Sequence, residues 1–95
     1  MGVTVRVVVA YDISSDRHRQ KVADLLEMVL TRVQRSVFEG DLPAEVLAKS
    51  IQRALTHIEP KTDSIRVYHL CAACAPRVDV YGCGIVPNTE TVRIL

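Results

Sequence analysis

The stretch Val3-Thr4-Val5-Arg6-Val7-Val8-Val9-Ala10-Tyr11-Asp12-Ile13 decides the architecture. Its odd positions are Val3, Val5, Val7, Val9 and Tyr11, and its even positions are Thr4, Arg6, Val8, Ala10 and Asp12, which is the period of two of a strand with one apolar and one mixed face. If the odd face packs under helices, Asp12 projects from the opposite face, within reach of a partner or ligand. A carboxylate at the end of a strand also serves ordinary turns and helix caps, so its role must be read from its neighbours. Those neighbours include the basic run Arg17-His18-Arg19-Gln20-Lys21, which suits an anionic partner.

The rest of the chain sorts into alternating elements. Ser14-Ser15-Asp16 supplies helix-start chemistry, and Val22, Leu25, Leu26 and Val29 recur at helical spacing, so the first helix is expected over 17–30. The alternation Arg32-Val33-Gln34-Arg35-Ser36-Val37-Phe38 predicts a second strand, with Glu39-Gly40-Asp41 as the turn after it. Asp41 and Pro43 then open a second helix with apolar positions Leu47, Ile51, Ala54, Leu55 and Ile58, ended by Glu59-Pro60. Further strands are expected over 65–70 and 78–81, joined through 71–76, with a short terminal strand near 91–95.

This order is α+β, a ferredoxin-like β-α-β-β-α-β sandwich of one domain over residues 1–95, with an additional C-terminal strand. Both helices cover one face of an antiparallel sheet. The other face, expected to carry Val8, Ala10, Phe38 and Leu70, is too apolar to stay solvated and implies a homodimer packed through it. Two-fold symmetry would present Asp12 twice, and two copies could hold a divalent cation that one would bind poorly.

Composition bounds the function. At 95 residues, with 48% apolar and 24% charged residues, the chain builds one core, and any pocket is expected to be shallow or shared between subunits. No apolar run is long enough to cross a membrane and the N-terminal stretch lacks signal-peptide layout, so a cytoplasmic location is expected. Net charge is only +1, so nucleic-acid affinity must come from where the cations sit. Nine of the twelve cations are arginine, which suits bidentate phosphate contact.

Tyr11-Asp12-Ile13, Arg17-x-Arg19 and Arg32-Val33-Gln34-x-Ser36-Val37-Phe38-Glu39, taken together, resemble the Cas-two family of small CRISPR-associated nucleases, partners of the Cas-one integrase. The likeness spans about residues 3–94. It implies a ferredoxin-like homodimer acting in the adaptation stage, the capture and integration of new spacers, and a magnesium-dependent endonuclease acting on single-stranded RNA or double-stranded DNA. By this resemblance Asp12 binds the metal, Tyr11 is its aromatic neighbour, and Arg19, Arg32 and Phe38 occupy positions linked to activity or nucleic-acid contact. Lys21 stands where the family often has a second basic residue. Two departures are visible: 28–31 lacks the glycine common before the second strand, and Arg35 replaces a frequent aromatic residue.

The mechanism implied is metal-assisted phosphodiester hydrolysis, with Asp12 of each subunit anchoring Mg²⁺ and Arg19 and Arg32 holding neighbouring phosphates. His18 reads as a surface residue rather than a general base. A second reading needs no cleavage: a rigid DNA-binding adaptor bridging integrase subunits. Its basic edges would come from Arg17, Arg19, Lys21, Arg32, Arg35, Arg66, Arg77 and Arg93, of which Arg66 and Arg93 read better as solvated surface. Cys71, Cys74 and Cys83, with His69, offer soft ligands, but no second Cys-x-x-Cys follows, and reduced thiols rather than structural zinc at Cys71 and Cys74 are expected.

Overall fold

The computed structural model describes residues 3–70 and 77–82. The elements run β1 (Thr4–Asp12), α1 (Asp16–Glu27), β2 (Thr31–Gln34), β3 (Val37–Pro43), α2 (Ala44–Leu55), β4 (Ser64–Leu70) and β5 (Arg77–Gly82). The strands form one antiparallel sheet in the order β2-β3-β1-β4-β5, a ferredoxin-like core with β5 added beside β4. The expected connection 71–76 and the terminal strand near 91–95 lie outside the described residues, as do Cys71, Cys74, Cys83 and Arg93.

The alternation in β1 works as the sequence predicts. Val7, Val9 and Tyr11 are buried, and they form one cluster with Val22, Ala23 and Leu26 of α1 and Leu47, Ile51 and Ala54 of α2. Both helices therefore lie on the odd face of β1. Their apolar stripes recur every three to four residues, and each fully buried Val, Leu or Ile side chain contributes about 1.5–3 kcal/mol. The Ser15 hydroxyl starts α1 by accepting the His18 N–H at 3.3 Å. No helix among the described residues is long and apolar enough to cross a membrane.

The region between the helices departs from the sequence reading. Residues 32–38 are not one strand: the chain reverses at Arg35-Ser36, and the register shifts between Arg32 and Gln34. Glu39-Gly40-Asp41 is not a turn but the middle of β3. Gly40 leaves room beside Leu30, which precedes β2: a Cβ here would lie 3.2 Å from Leu30 Cδ2, a tight contact with the end of a flexible side chain. Asp41 caps no helix. It sits opposite Arg6 and pairs with it at 3.1 Å, and α2 starts behind Pro43 without a side-chain cap.

Phe38 changes faces as a result. It pairs in register with Val9 and is fully buried under the helices, not on the open face. The open face instead carries Arg6, Val8, Ala10 and Asp12 of β1, Val37, Glu39 and Asp41 of β3, and Ser64, Arg66, Tyr68 and Leu70 of β4. Its centre, Val8, Ala10, Val37, Tyr68 and Val80, is half-buried, with the Arg6–Asp41 ion pair to one side.

Candidate functional site

The end of β1 splits two adjacent side chains between two environments. Tyr11 turns into the core, while Asp12 is exposed on the open side of the sheet. Around this end lies an open cleft of about 610 Å³, lined by Tyr11, Asp12 and Ile13 of β1 and its exit, a stripe of α1, and Arg32, Arg35 and Ser36 of the β2–β3 hairpin. The α1 stripe is Asp16, Arg19, Gln20 and Ala23, one helical face at spacings of three, four and seven. Among the described residues no side chain hydrogen-bonds the Asp12 carboxylate.

The walls are held by specific bonds. Arg19 Nη1 donates to the Ile13 carbonyl at 2.8 Å, and its Nη2 pairs with Asp16. Arg32 donates through Nε and Nη2 to the Arg35 carbonyl at 3.2 and 2.6 Å, and its Nη1 pairs with Glu27 at 3.3 Å. The same carbonyl accepts the Tyr11 hydroxyl at 3.3 Å. Phe38 forms the floor: its ring lies 6.1 Å from that of Tyr11, and the Arg32 guanidinium sits 5.5 Å above it. Burial pushes the Tyr11 phenol above its ordinary value, and the charges of Arg32 and Arg19 oppose that rise.

Behind the β1 exit lies Asp63, which is 1% exposed. Its carboxylate accepts the Ser14 N–H at 3.1 Å, the Ser14 hydroxyl at 3.0 Å, the Glu59 N–H at 2.8 Å and the Thr62 hydroxyl at 3.0 Å. Burial alone would raise its pKa, but the Glu59 and Ser14 amides and the two hydroxyls outweigh it, and the carboxyl titrates below the ordinary value. Ser14 is two residues beyond Asp12, so this knot fixes the chain that leaves the site. Sequence reading missed it because its partners are up to 49 positions apart.

Of the residues singled out from sequence, Tyr11, Asp12, Arg19, Arg32 and Arg35 meet at the cleft. Arg17 and Lys21 are exposed on α1 but do not line it, and Phe38 lies beneath it, closed to solvent. Ile13, Asp16, Gln20, Ala23 and Ser36 complete the lining, and for the α1 members the signal was their helical spacing from Asp16 to Arg19, Gln20 and Ala23. Among the described residues no group of three His, Cys, Asp or Glu side chains is placed to hold a metal ion.

The family model described as CRISPR associated protein Cas2 matches residues 5–78. The chain belongs to the Cas2 family. It is 39% identical over 84 residues to the CRISPR-associated endoribonuclease Cas2 1 of Chloroflexus aurantiacus, covering 87% of this chain and 90% of that protein. It is 38% identical over 87 residues to the CRISPR-associated endonuclease Cas2 2 of Thermus thermophilus, covering 92% of each. The crystal structure of Streptococcus pyogenes Cas2 superposes with a TM-score of 0.64 at 34% identity, covering 70% of this chain and 86% of that one. The five-stranded sheet with two helices is thus the Cas2 arrangement, and the chain is CRISPR-associated.

Proposed function

We propose that this Cas2 protein is a homodimeric, metal-dependent endonuclease that hydrolyses phosphodiester bonds in single-stranded RNA or double-stranded DNA at the adaptation stage. The observation that carries the reading is Asp12, an exposed carboxylate that no side chain among the described residues hydrogen-bonds, lining an open cleft together with three arginines. A relative named endoribonuclease supports RNA as a substrate, and one named endonuclease supports internal cleavage of nucleic acid.

Magnesium fits the donor set, since it binds through one or two carboxylates, keeps several waters and accepts phosphate oxygens. Asp12 of each subunit would hold it. When bound, it supplies Lewis-acid polarisation of the phosphate and a more acidic water. The chain itself orients Asp12 through the Asp63 knot and places Arg19, Arg32 and Arg35 on one side of the approaching backbone. Dimerisation completes the site. Asp12 shares the open face with Val8, Ala10, Val37, Tyr68 and Val80, so pairing of that face across a two-fold axis brings a second carboxylate toward the first.

The test is cleavage of defined single-stranded RNA and duplex DNA by the purified protein with Mg²⁺ or EDTA, comparing wild type and Asp12→Ala. Metal-dependent cleavage that disappears in the variant, with dimerisation intact, supports the proposal; cleavage that survives the substitution refutes the role of Asp12.

A second reading, the DNA-binding adaptor between Cas-one integrase subunits, draws support from Arg17 and Lys21. These exposed cations make no ion pair or hydrogen bond among the described residues and lie outside the cleft, where they suit backbone contacts rather than chemistry. Wild-type protein that cuts nothing yet binds duplex DNA would favour it.

A further inference from the structure

The three arginines of the cleft differ in what already holds them. Arg19 is engaged by the Ile13 carbonyl and the Asp16 carboxylate. Arg32 is engaged more fully: its Nε and Nη2 edge is taken by the Arg35 carbonyl, its Nη1 by Glu27, and its face by the Phe38 ring. A bidentate phosphate contact needs two parallel N–H groups on one edge of the guanidinium. At Arg32 the edge formed by Nε and Nη2 is occupied, and at both residues a carboxylate already offsets the charge. The Arg35 side chain is exposed and makes no hydrogen bond or ion pair among the described residues. It lines the same cleft as Asp12.

We propose that Arg35 is the phosphate-contacting cation of the cleft, and that Arg19 and Arg32 are positioning residues, Arg19 fixing the exit of β1 behind Asp12 and Arg32 fixing the hairpin turn that carries Arg35. This replaces the expectation that Arg19 and Arg32 hold phosphates directly. The part concerning Arg35 rests on the nucleic-acid reading above. The part concerning Arg32 rests on the hairpin alone.

The test measures binding of a labelled single-stranded RNA, and of a duplex DNA of the same sequence, by fluorescence anisotropy across a salt series in EDTA, which suppresses cleavage. Arg35→Gln should flatten the slope of log affinity against log salt by about 0.7 for the single strand or about 0.9 for the duplex, the value of one phosphate contact, with an unchanged melting temperature. Arg32→Gln should lower the melting temperature and, in the Arg35→Gln background, remove no further slope. Arg32→Lys, which keeps the charge but cannot place two donors on the Arg35 carbonyl, should lower the melting temperature in the same way.

A wild-type slope that Arg35→Gln leaves unchanged, or a double variant that loses a second contact's worth of slope, would overturn the inference while the functional reading stands. Wild-type protein with no salt-dependent affinity for either probe would instead overturn the nucleic-acid reading and the role of Arg35 with it. An unchanged melting temperature in both Arg32→Gln and Arg32→Lys would overturn the positioning role independently of any ligand.

Discussion

Replacing Asp63 with Ala tests how the site is anchored. Four donors converge on this carboxylate, two of them the backbone amides of Ser14 and Glu59 at 3.1 and 2.8 Å. The Ser14 and Thr62 hydroxyls are on exposed residues and regain water when the carboxylate is removed, so the cost falls on the two amides. At about 1.5–3 kcal/mol for each hydrogen bond to a charged group, the loss is about 3–6 kcal/mol. A domain of this size has about 5–15 kcal/mol in total, so the variant should lie near the edge of folding. Urea denaturation of wild type and variant at pH 7 measures the difference. Because the folded-state pKa is depressed, the Asp63 contribution is fully present above the ordinary carboxyl value near 3.8 and is lost as pH falls through the lower folded value. The gap between the two proteins should therefore be constant from pH 7 to about pH 4 and shrink below it. A difference under about 1 kcal/mol at pH 7, or one that widens on acidification, would refute the reasoning.

Other expectations follow from the same geometry. Gly82 has φ +87°, and a Cβ there would lie 2.1 Å from the Asp63 carbonyl oxygen, so Gly82→Ala should cost about 2–5 kcal/mol, measured by the urea midpoint. Phe38→Leu keeps an apolar floor but loses the Tyr11 and Arg32 ring contacts, and should cost about 1–2.5 kcal/mol by the same assay. Val8→Lys puts a cation at the centre of the open face opposite Glu39, a favourable cross-strand pair within one chain, so the protein should stay folded while sedimentation shows a monomer. A dimer that persists in Val8→Lys would show that the face is not the interface.

The sequence made one strand and its terminal carboxylate plain because β1 obeys period two without interruption, and the helices because their apolar stripes have no competitor. The β2–β3 hairpin was hidden for a physical reason. Its turn, Arg35-Ser36, contains no Gly, Pro, Asn or Asp; it is closed by the long Arg32 side chain and the Tyr11 hydroxyl, neither of which leaves a local turn signature. Gly40 then drew the turn to itself, although it sits inside β3 with Leu30 packed close to it. The reversal at Arg35-Ser36 starts a new strand whose pairing with β1 sets Phe38 opposite Val9, and so on the covered face. The composition of the cleft was partly legible, since five of its residues were singled out from motif and spacing. The Asp63 knot was not, since nothing in Thr62-Asp63-Ser64 distinguishes a buried acceptor from an ordinary loop carboxylate.

The acceptor that gathers Tyr11 and Arg32 is a main-chain oxygen, and every amino acid supplies the same one. Position 35 therefore carries two independent settings: its backbone closes the hairpin, and its side chain is free to vary. Mutational tolerance there should be broad for folding and narrow for affinity, the reverse of what a buried residue such as Phe38 shows. A saturation library at this single codon would separate molecules that fold from molecules that grip, and the preference of the cleft for one polymer over another could drift without disturbing the scaffold.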